Sequence, residues 1–361
     1  MQHDLTPPLE ELLGRFEEGT RVALARAISL VENERPGFQA FLHRVLTRGP
    51  QAQRVGLTGP PGAGKSSIVA SLCQQWLRVG ERVGIVAVDP TSPYSGGALL
   101  GDRIRMNELS TDPDIFIRSM ATRGSLGGLA TTTKEVVDLM DGFGMPRILI
   151  ETVGVGQTEL EITGAADTVV VVLVPESGDG IQAMKAGLME IADIFVINKA
   201  DRPGADRLLK ELRMAIHLRM GDGTGPSDAA AGHHGPDLSG MGKRPEDREP
   251  KEIRRYEQPE GWQIPVLKTT AITDEGIPEL VEMIAAHREH LVSSGELEVR
   301  RRARAEARIR DVLDRGLRRA ARKRVAGKRL ASELDAISDG RETPYSVAAG
   351  YLQELVTDSV D

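Results

Sequence analysis

The stretch RVGLTGPPGAGKS, residues 54–66, joins an apolar β-branched run to a glycine-rich turn. Its last eight residues, GPPGAGKS, satisfy the pattern G-x-x-x-x-G-K-[ST] between a predicted strand and a predicted helix that begins near Lys65. In this pattern backbone N–H groups point at phosphate oxygens, Lys65 reaches the β and γ phosphates, and the Ser66 hydroxyl ligates Mg²⁺. The stretch therefore predicts a phosphate site. A purely structural turn is the alternative, and the flanking strand and helix disfavour it.

The pattern of strand and helix continues toward the C-terminus. Short apolar runs, separated by amphipathic segments of helix length, recur as RVGIVAVDP, DIFIRSM, RILIET, TVVVVLVP, IFVINKAD and IPVLKTT. Strands that are apolar on both faces and alternate with helices are typical of a parallel sheet covered on both sides. The predicted fold class is α/β: a P-loop NTPase domain over residues 51–291, with a mostly parallel sheet and helices on both faces.

Both ends of the chain show helical periodicity. Residues 9–31 repeat apolar positions every three or four residues, so residues 1–50 are predicted to form an N-terminal helical extension. Residues 292–361 are predicted to form a C-terminal helical arm, which includes the arginine-rich stretch RRRARAEARIRDVLDRGLRRAARKR. Acidic residues interrupt this stretch, which favours a dimer or partner helix with a solvated basic face over a nucleic-acid site. Residues 221–261 hold few apolar residues and are predicted to be a mobile insertion.

The composition limits the class of protein. Of the 361 residues, 40% are hydrophobic and 27% are charged, as in ordinary soluble proteins, and the net charge of -7 disfavours binding to polyanions. A single cysteine, Cys73, excludes an internal disulfide and a CxxC metal site. The N-terminus lacks the basic-then-apolar pattern of an export signal, and no apolar run has membrane-spanning length. We therefore expect a cytoplasmic protein that binds neither nucleic acid nor membrane.

Three acidic residues lie near predicted strand ends and are candidates to hold Mg²⁺. Asp89 ends RVGIVAVDP, Asp102 follows the glycine pair in GGALLGDRIRM, and Glu151 ends RILIET. Ligands bind at the carboxyl ends of strands in open α/β sheets, and Mg²⁺ prefers oxygen ligands. Any one of these acids could instead cap a helix, but three around a P-loop favour a metal site. Gly154 is expected to offer its backbone N–H to the γ-phosphate.

The sequence NKAD selects the base of the nucleotide. Asn198, Lys199 and Asp201 follow the predicted strand IFVIN. An aspartate at this place accepts hydrogen bonds from N1–H and the exocyclic amine of guanine, whereas adenine has no donor on that edge. Thr269, Thr270 and Ala271, after the last predicted strand, are positioned to offer backbone N–H to guanine O6. The ligand is therefore predicted to be GTP or GDP. N-K-x-D alone could be a helix cap.

Several longer segments together resemble the MeaB/ArgK family, also called MMAA in animals. They include GLTGPPGAGKSS, GGALLGDRIRM, IRSMATRGSLGGLA, ETVGVGQTE and PYSVAAGYL, and they span nearly the whole chain. The family consists of P-loop GTPases of the SIMIBI class that act as chaperones for adenosylcobalamin-dependent acyl-CoA mutases, such as methylmalonyl-CoA mutase. The resemblance implies a homodimer through the C-terminal arm and weak GTP hydrolysis that the mutase stimulates. No cobalamin site is evident in this chain itself.

The resemblance also implies roles for individual residues. The implied Mg²⁺ site consists of Ser66, Asp89, Asp102 and Glu151. Asp179 and Lys185 are implied to lie in a switch segment that senses the nucleotide and contacts the mutase. This segment departs from the family pattern at Glu176 and Gly180, which puts its geometry in question.

The candidates for hydrolysis and for nucleotide binding follow from these motifs. The catalytic candidates are Lys65, Lys185, Asp179 and Gln157, with Gln157 orienting the attacking water and Lys185 stabilising charge in the transition state. A polar loop residue and a solvated helix lysine are the alternatives for Gln157 and Lys185. The residues expected to hold the nucleotide are Gly59, Gly62, Ala63, Gly64, Lys65, Ser66, Ser67, Gly154, Asn198, Lys199, Asp201, Thr270 and Ala271.

Two other functions remain open at this point. One is a kinase of a periplasmic amino-acid transport system, a role implied by an older name of the family. The other is a GTPase for nickel insertion, which the absence of CxxC or of a histidine-rich tail disfavours.

Overall fold

Seven strands lie in one sheet in the computed structural model, which describes residues 4–89, 109–121, 131–152, 161–175, 187–221, 261–325 and 328–357. They are β1 (Gln53–Thr58), β2 (Val83–Asp89), β3 (Ile115–Ala121), β4 (Arg147–Thr152), β5 (Thr168–Leu173), β6 (Ile194–Asn198) and β7 (Val266–Thr269). Their order is β3-β2-β4-β1-β5-β6-β7, and every neighbouring pair is parallel. All carboxyl ends therefore lie along one edge of the sheet, and the predicted parallel sheet is confirmed.

Eleven α-helices are found in the described part of the chain. They are α1 (Pro7–Glu17), α2 (Arg21–Glu32), α3 (Phe38–Leu46), α4 (Lys65–Arg78), α5 (Thr131–Gly142), α6 (Leu188–Ile191), α7 (Ala205–Gly221), α8 (Ile277–Ser293), α9 (Glu296–Arg324), α10 (Lys328–Ser338) and α11 (Pro344–Thr357). The predicted helices at both ends of the chain are thus confirmed. Of the described helices, none is both long and apolar enough for a bilayer span. The predicted insertion falls almost entirely on residues outside the described ranges.

The two faces of the sheet belong to two hydrophobic clusters. All six residues of β5 are buried, because helices cover both faces of the sheet. Val169 and Val171 pack in the cluster formed with α1, α2, α3, α5 and α7. Val170 and Val172 pack in the cluster formed with α4 and α8. Since successive side chains of a strand point to opposite faces, these continuous valine runs are the expected pattern for a sheet buried on both sides.

The N-terminal extension packs through aromatic residues on Phe143, which directly follows α5. The ring of Phe16 makes edge contacts with Phe41 at 5.8 Å and with Phe143 at 5.2 Å between centroids. Phe16 and Phe41 are fully buried and belong to the same cluster as the adjacent sheet face. Helices α1 to α3 therefore extend the core of the nucleotide-binding domain.

The arginine-rich helix α9 contacts the opposite edge of the sheet, where the strands begin. Asp167 and Asp193 stand immediately before β5 and β6, and both are buried. Arg300 forms an ion pair with Asp193 at 2.8 Å between Nη2 and Oδ1. Arg301 and Arg304 both pair with Asp167, the former at 3.2 Å between Nη2 and Oδ2. The expectation of a solvated basic face is therefore wrong for these arginines, which bind buried carboxylates of their own chain.

No residue of α9 is itself buried, so α9 lacks the buried apolar stripe by which helices usually pack. Burial alone raises the pKa of the Asp167 carboxyl, but the charges of Arg304 and Arg301 outweigh burial and hold that pKa below its usual value. From α8, Arg288 adds a third guanidinium, with Nη1 at 3.1 Å from Oδ2 of Asp167. Attachment of the first half of α9 thus depends on ion pairs to buried acids.

Replacing Asp167 with asparagine removes the charge while keeping the shape of the side chain. We expect Asp167→Asn to lower the free energy of unfolding by about 3 kcal/mol at pH 7, because three guanidinium groups lose their buried counter-charge. A carboxyl whose pKa is depressed in the folded state contributes stability above its unfolded pKa. The difference from wild type should therefore shrink as pH falls below about 4. Urea unfolding followed by tryptophan fluorescence measures both effects.

A second substitution on α9 serves as the control. Glu306 pairs with Arg310 on the exposed side of α9, and both side chains are mostly solvated. Glu306→Gln should change the free energy of unfolding by less than about 0.5 kcal/mol, as expected for an exposed pair. An equally small effect of Asp167→Asn would show that the buried pairs do not hold α9.

Candidate nucleotide site

The glycine-rich turn links the end of β1 to the start of α4. Gly59 has φ of 135° and Gly64 has φ of 86°. A Cβ at Gly59 would lie 2.1 Å from the Val172 carbonyl oxygen, and a Cβ at Gly64 would lie 2.4 Å from Asn198 Nδ2. Only glycine fits at these two positions, in backbone conformation and in space. The predicted phosphate loop is therefore present with the backbone geometry that its sequence requires.

Lys65 places a positive charge inside this loop. Lys65 is the first residue of α4 and is only 5% exposed. Its Nζ donates to the carbonyl oxygens of Gly59 at 2.9 Å and Pro60 at 3.0 Å. The ammonium group is thus held by the loop whose N–H groups are expected to bind phosphate. A fixed cation at a helix N-terminus favours a phosphate anion at this place.

Ser66 and Glu151 bring two oxygen ligands together beside the loop. The Ser66 hydroxyl donates to Glu151 Oε1 at 2.5 Å, and the Glu151 side chain is buried. Glu151 lies in β4 opposite Leu57 of β1, and on its other side it pairs with Ala87 of β2. Asp89 ends β2 along the same sheet edge. Glu151 and Asp89 therefore lie near the carboxyl ends of adjacent strands, and Ser66 lies in the first turn of α4, whereas Asp102 lies outside the described residues.

The Asn198 side chain connects three segments of the site. Asn198 ends β6 and is 2% exposed. Its Nδ2 donates to the Ala63 carbonyl of the phosphate loop at 2.9 Å. Its Oδ1 accepts from the Thr269 hydroxyl at 3.1 Å and from the Ala271 N–H at 3.2 Å. This one buried amide consequently holds together the predicted base reader (Asn198 to Asp201), the phosphate loop and the segment after β7.

Lys199 and Asp201 complete the base reader. Lys199 has a left-handed backbone, with φ of 56°, and its Nζ donates to the Gly62 carbonyl at 2.9 Å. The Ala200 N–H donates to the Thr269 carbonyl at 3.0 Å, which fixes the turn on β7. Asp201 follows with an exposed side chain. No residue in the described part of the chain bonds to the Asp201 carboxylate, so a guanine base can approach it from solvent without displacing any of them.

The structure brings together most of the predicted site. The members that meet around the phosphate loop and the ends of β6 and β7 are Gly59, Gly62, Ala63, Gly64, Lys65, Ser66, Ser67, Glu151, Asn198, Lys199, Asp201, Thr270 and Ala271. Gly154, Gln157, Asp179 and Lys185 lie outside the described residues. Within the described ranges, no three His, Cys, Asp or Glu residues converge as a metal-binding group.

Sequence reasoning missed two contributions to the site. The Thr269 hydroxyl orients Asn198, and the Pro60 carbonyl helps to hold Lys65. Thr269 was predicted to offer its backbone N–H to guanine O6, whereas the structure shows that its hydroxyl donates to Asn198. A proline carbonyl inside the loop offers no signal in the sequence, because its orientation depends on the folded turn.

Comparison with known proteins agrees with this geometry. Residues 24–325 match the sequence model of a family described as "Methylmalonyl Co-A mutase-associated GTPase MeaB". A Pyrococcus abyssi protein that carries GTPase in its name is 43% identical over 356 residues, which are 96% of this chain and 97% of that protein. The mouse protein named "Methylmalonic aciduria type A homolog, mitochondrial" is 36% identical over 310 residues, covering 81% of this chain and 66% of its own.

A solved structure shares the fold. The crystal structure of a LAO/AO transport system kinase covers 98% of this chain and 99% of its own, with a TM-score of 0.61. Its sequence identity is 24%, so the likeness concerns the fold alone.

Asp201 should decide which base the site accepts. We expect Asp201→Asn to weaken GDP binding by at least about 100-fold and to improve binding of xanthosine diphosphate (XDP). The amide mismatches the two guanine donors, but it can donate to the C2 carbonyl of xanthine. Calorimetric titration with both nucleotides measures the change. Asp206 is a nearby exposed aspartate on α7, and its substitution Asp206→Asn is the control. It should leave both affinities unchanged. An unaltered ratio of GDP to XDP affinity in Asp201→Asn would refute guanine selection by this residue.

Proposed function

The chain belongs to the MeaB family of GTPases, and we propose that its GTP cycle serves an adenosylcobalamin-dependent acyl-CoA mutase such as methylmalonyl-CoA mutase. It binds and hydrolyses GTP. The observation that carries the proposal is the family match over residues 24–325, which includes the phosphate loop, the base reader and all of α9. The name of the mouse relative, which refers to methylmalonic aciduria, also supports it. The role proposed for this chain is to assist assembly, cofactor loading or protection of the mutase.

We further propose that Mg²⁺ accompanies the nucleotide. The Ser66 hydroxyl and the Glu151 carboxylate, 2.5 Å apart, are hard oxygen donors of the kind that Mg²⁺ prefers. Their position beside the phosphate loop fits a metal that contacts the phosphates, and Asp89 and Asp102 are the other proposed ligands. When bound, Mg²⁺ neutralises charge on the β and γ phosphate oxygens.

The residues of the chain itself are proposed to position GTP and its attacking water. Lys65 supplies charge next to the γ-phosphate, and the backbone N–H of Gly154 senses that group. Gln157 orients the water, and Asp179 and Lys185 belong to a switch segment that the mutase orders. Hydrolysis then depends on positioning and charge neutralisation, which is the general pattern of phosphoryl transfer.

The arm is proposed to form a homodimer. Helix α9 exposes Ile309, Leu313 and Leu317, spaced four residues apart and each about 60% exposed. Residues at this spacing lie on one face of a helix. Helix α11 exposes Tyr345 and Leu352 as well. An apolar stripe on the arm supports docking of a second copy, and analytical ultracentrifugation should then give twice the mass of one chain rather than the mass of a monomer.

A kinase of an amino-acid transport system is the second candidate. It is favoured only by the name of the structural relative, whose likeness concerns the fold. The two functions differ in where the γ-phosphoryl group goes: to water in a hydrolase and to a protein side chain in a kinase. Nickel insertion is the third candidate function. The sequence disfavours it, because a single cysteine cannot form a CxxC site.

Stimulation of hydrolysis tests the proposed partner. Acyl-CoA mutases from the organism that encodes this chain should each be mixed with it and with GTP labelled on the γ-phosphate. We expect one of them to raise kcat by about tenfold or more, because a partner that orders the switch segment lowers the barrier by more than about 1.4 kcal/mol. All the label should appear as free phosphate. Lys65→Ala, which removes the phosphate-loop cation, is the inactive control.

Two results would contradict the proposal. One is a rate that no acyl-CoA mutase changes, combined with failure of any mutase to bind the GTP-loaded chain. The other is transfer of the label to a protein, which would instead favour the kinase.

Glu151 should set the Mg²⁺ requirement. We expect Glu151→Gln to raise the Mg²⁺ concentration at half-maximal GTP hydrolysis by about tenfold or more, because a neutral amide is a weaker ligand than a carboxylate. Titration of the hydrolysis rate with MgCl₂ measures this shift. Glu279 is an exposed acid at the start of α8, and Glu279→Gln is the matched control. It should leave the Mg²⁺ concentration at half-maximal hydrolysis unchanged. An unchanged midpoint in Glu151→Gln would remove this residue from the metal site.

A further inference from the structure

Two buried threonines lie side by side where β1 and β4 end. Thr58 is the last residue of β1 and directly precedes the phosphate loop, and Thr152 is the last residue of β4 and directly follows Glu151. Both threonines are 0% exposed. The Thr152 hydroxyl donates to the hydroxyl oxygen of Thr58 at 3.0 Å. A hydroxyl pair therefore connects the strand that leads into the phosphate loop to the strand that carries the proposed metal carboxylate.

The pairing of the β1 backbone with the β4 backbone ends one residue before this hydroxyl pair. Its last step places Leu57 opposite Glu151. On their outer sides the strands continue in register, so that Thr58 still pairs with β5 and Thr152 still pairs with β2. At the carboxyl edge, β1 and β4 are thus joined by the two threonine side chains, at the step that immediately adjoins the nucleotide site.

The threonine pair and the proposed metal ligands lie on opposite faces of the sheet. Glu151 shares its face with Leu149, which packs in the cluster formed with α4. Successive side chains of a strand point to opposite faces, so Thr152 lies on the other face with Ile150. The hydroxyls therefore point away from the bond between Glu151 and Ser66, and they can influence it only by fixing the backbone of β4 against that of β1.

Packing alone does not require these two hydroxyls. Valine has nearly the same shape as threonine, and the flanking strands place Val171 opposite Thr58 and Val88 opposite Thr152. Replacing two bonded partners by apolar groups of the same shape is often nearly neutral for stability. A hydrogen bond differs from apolar contact in its narrow range of distance and direction. The hydroxyl pair therefore gives the sheet a defined separation of β1 from β4 more than it gives stability.

We infer that the Thr58–Thr152 hydroxyl pair is a positioning element for the proposed Mg²⁺ site. It holds β4 against β1 and thereby holds the Glu151 carboxylate against Ser66, which follows the phosphate loop. Mg²⁺ demands near-ideal octahedral geometry, so a small displacement of one ligand weakens its binding. The inference rests on the proposed ligation of Mg²⁺ by Ser66 and Glu151 and is independent of the proposed mutase partner.

Removal of the donor hydroxyl tests the inference by a binding measurement. The Mg²⁺ midpoint is defined as the concentration that gives half of the gain in GDP affinity caused by Mg²⁺. Thr152→Val should raise this midpoint by about three- to tenfold, less than the loss of a group bonded to the ligand itself. GDP affinity in EDTA should stay within twofold of wild type, because the phosphate loop and the base reader are intact. Fluorescence titration with labelled GDP and MgCl₂ measures both. Thr152→Ser, which keeps the hydroxyl, should restore the midpoint to within twofold of wild type.

Two further variants separate positioning from stability. Thr168 begins β5 at the opposite edge of the sheet, is 0% exposed, and its hydroxyl lies 2.9 Å from His287 Nδ1. Thr168→Val, the matched control, should lower the thermal midpoint of unfolding as Thr152→Val does, yet leave the Mg²⁺ midpoint unchanged. The double variant Thr58→Val with Thr152→Val leaves no buried hydroxyl unpaired. It should recover thermal stability while keeping the raised Mg²⁺ midpoint.

Three outcomes would overturn the inference. They are an Mg²⁺ midpoint within twofold of wild type in both Thr152→Val and the double variant, an equal shift in Thr168→Val, and a loss of GDP affinity in EDTA as large as the shift of the midpoint. Failure of Glu151→Gln to change the Mg²⁺ requirement would instead refute the metal site itself, so the two failures are distinguishable.

Discussion

The buried amide of Asn198 is the interaction on which the nucleotide site depends. Its Nδ2 bonds to the phosphate loop at Ala63, and its Oδ1 bonds to Thr269, the last residue of β7, and to Ala271, two residues further on. Because the amide is only 2% exposed, water does not compete for these bonds, and removing one partner would leave a buried polar group unsatisfied. The amide also explains why Gly64 is glycine, since a Cβ there would meet Nδ2. The distance between the phosphate end and the base end is thereby fixed, which suits recognition of a whole nucleotide.

The strands that support this amide also carry the attachment of the C-terminal arm. β6 begins after Asp193, which binds Arg300, and ends at Asn198. β5 begins after Asp167, which binds two arginines of α9, and its residue Val172 lies against Gly59 of the phosphate loop. The two edges of the sheet are thus joined by the same rigid strands. A partner that moves α9 would act on the strands that end at the nucleotide.

Local patterns predicted the parts of the structure that depend on short segments. The valine runs predicted a sheet buried on both faces, and G-x-x-x-x-G-K-S predicted the turn, because both signals lie within one strand and its adjacent loop. The face that α9 turns inward could not be predicted, since Arg304 and its partner Asp167 are 137 residues apart in sequence. A helix rich in arginine looks the same in sequence whether its partners are water or buried acids. The roles of Asp102, Gly154, Gln157, Asp179 and Lys185 stay predictions.

The orientation of α9 reverses the usual arrangement of an amphipathic helix. Arg300, Arg301 and Arg304 bind acids in the body of the protein, whereas Ile309, Leu313 and Leu317 are exposed. Replacing Asp167 together with its arginines by apolar residues would change stability little, because desolvation of the charges offsets much of their attraction, whereas removing one partner alone is costly. Asp167 does fix which side of the helix faces inward, since an unpaired Asp167 would be costly. The ion pairs therefore hold the apolar stripe on the side of α9 that faces away from Asp167 and Asp193.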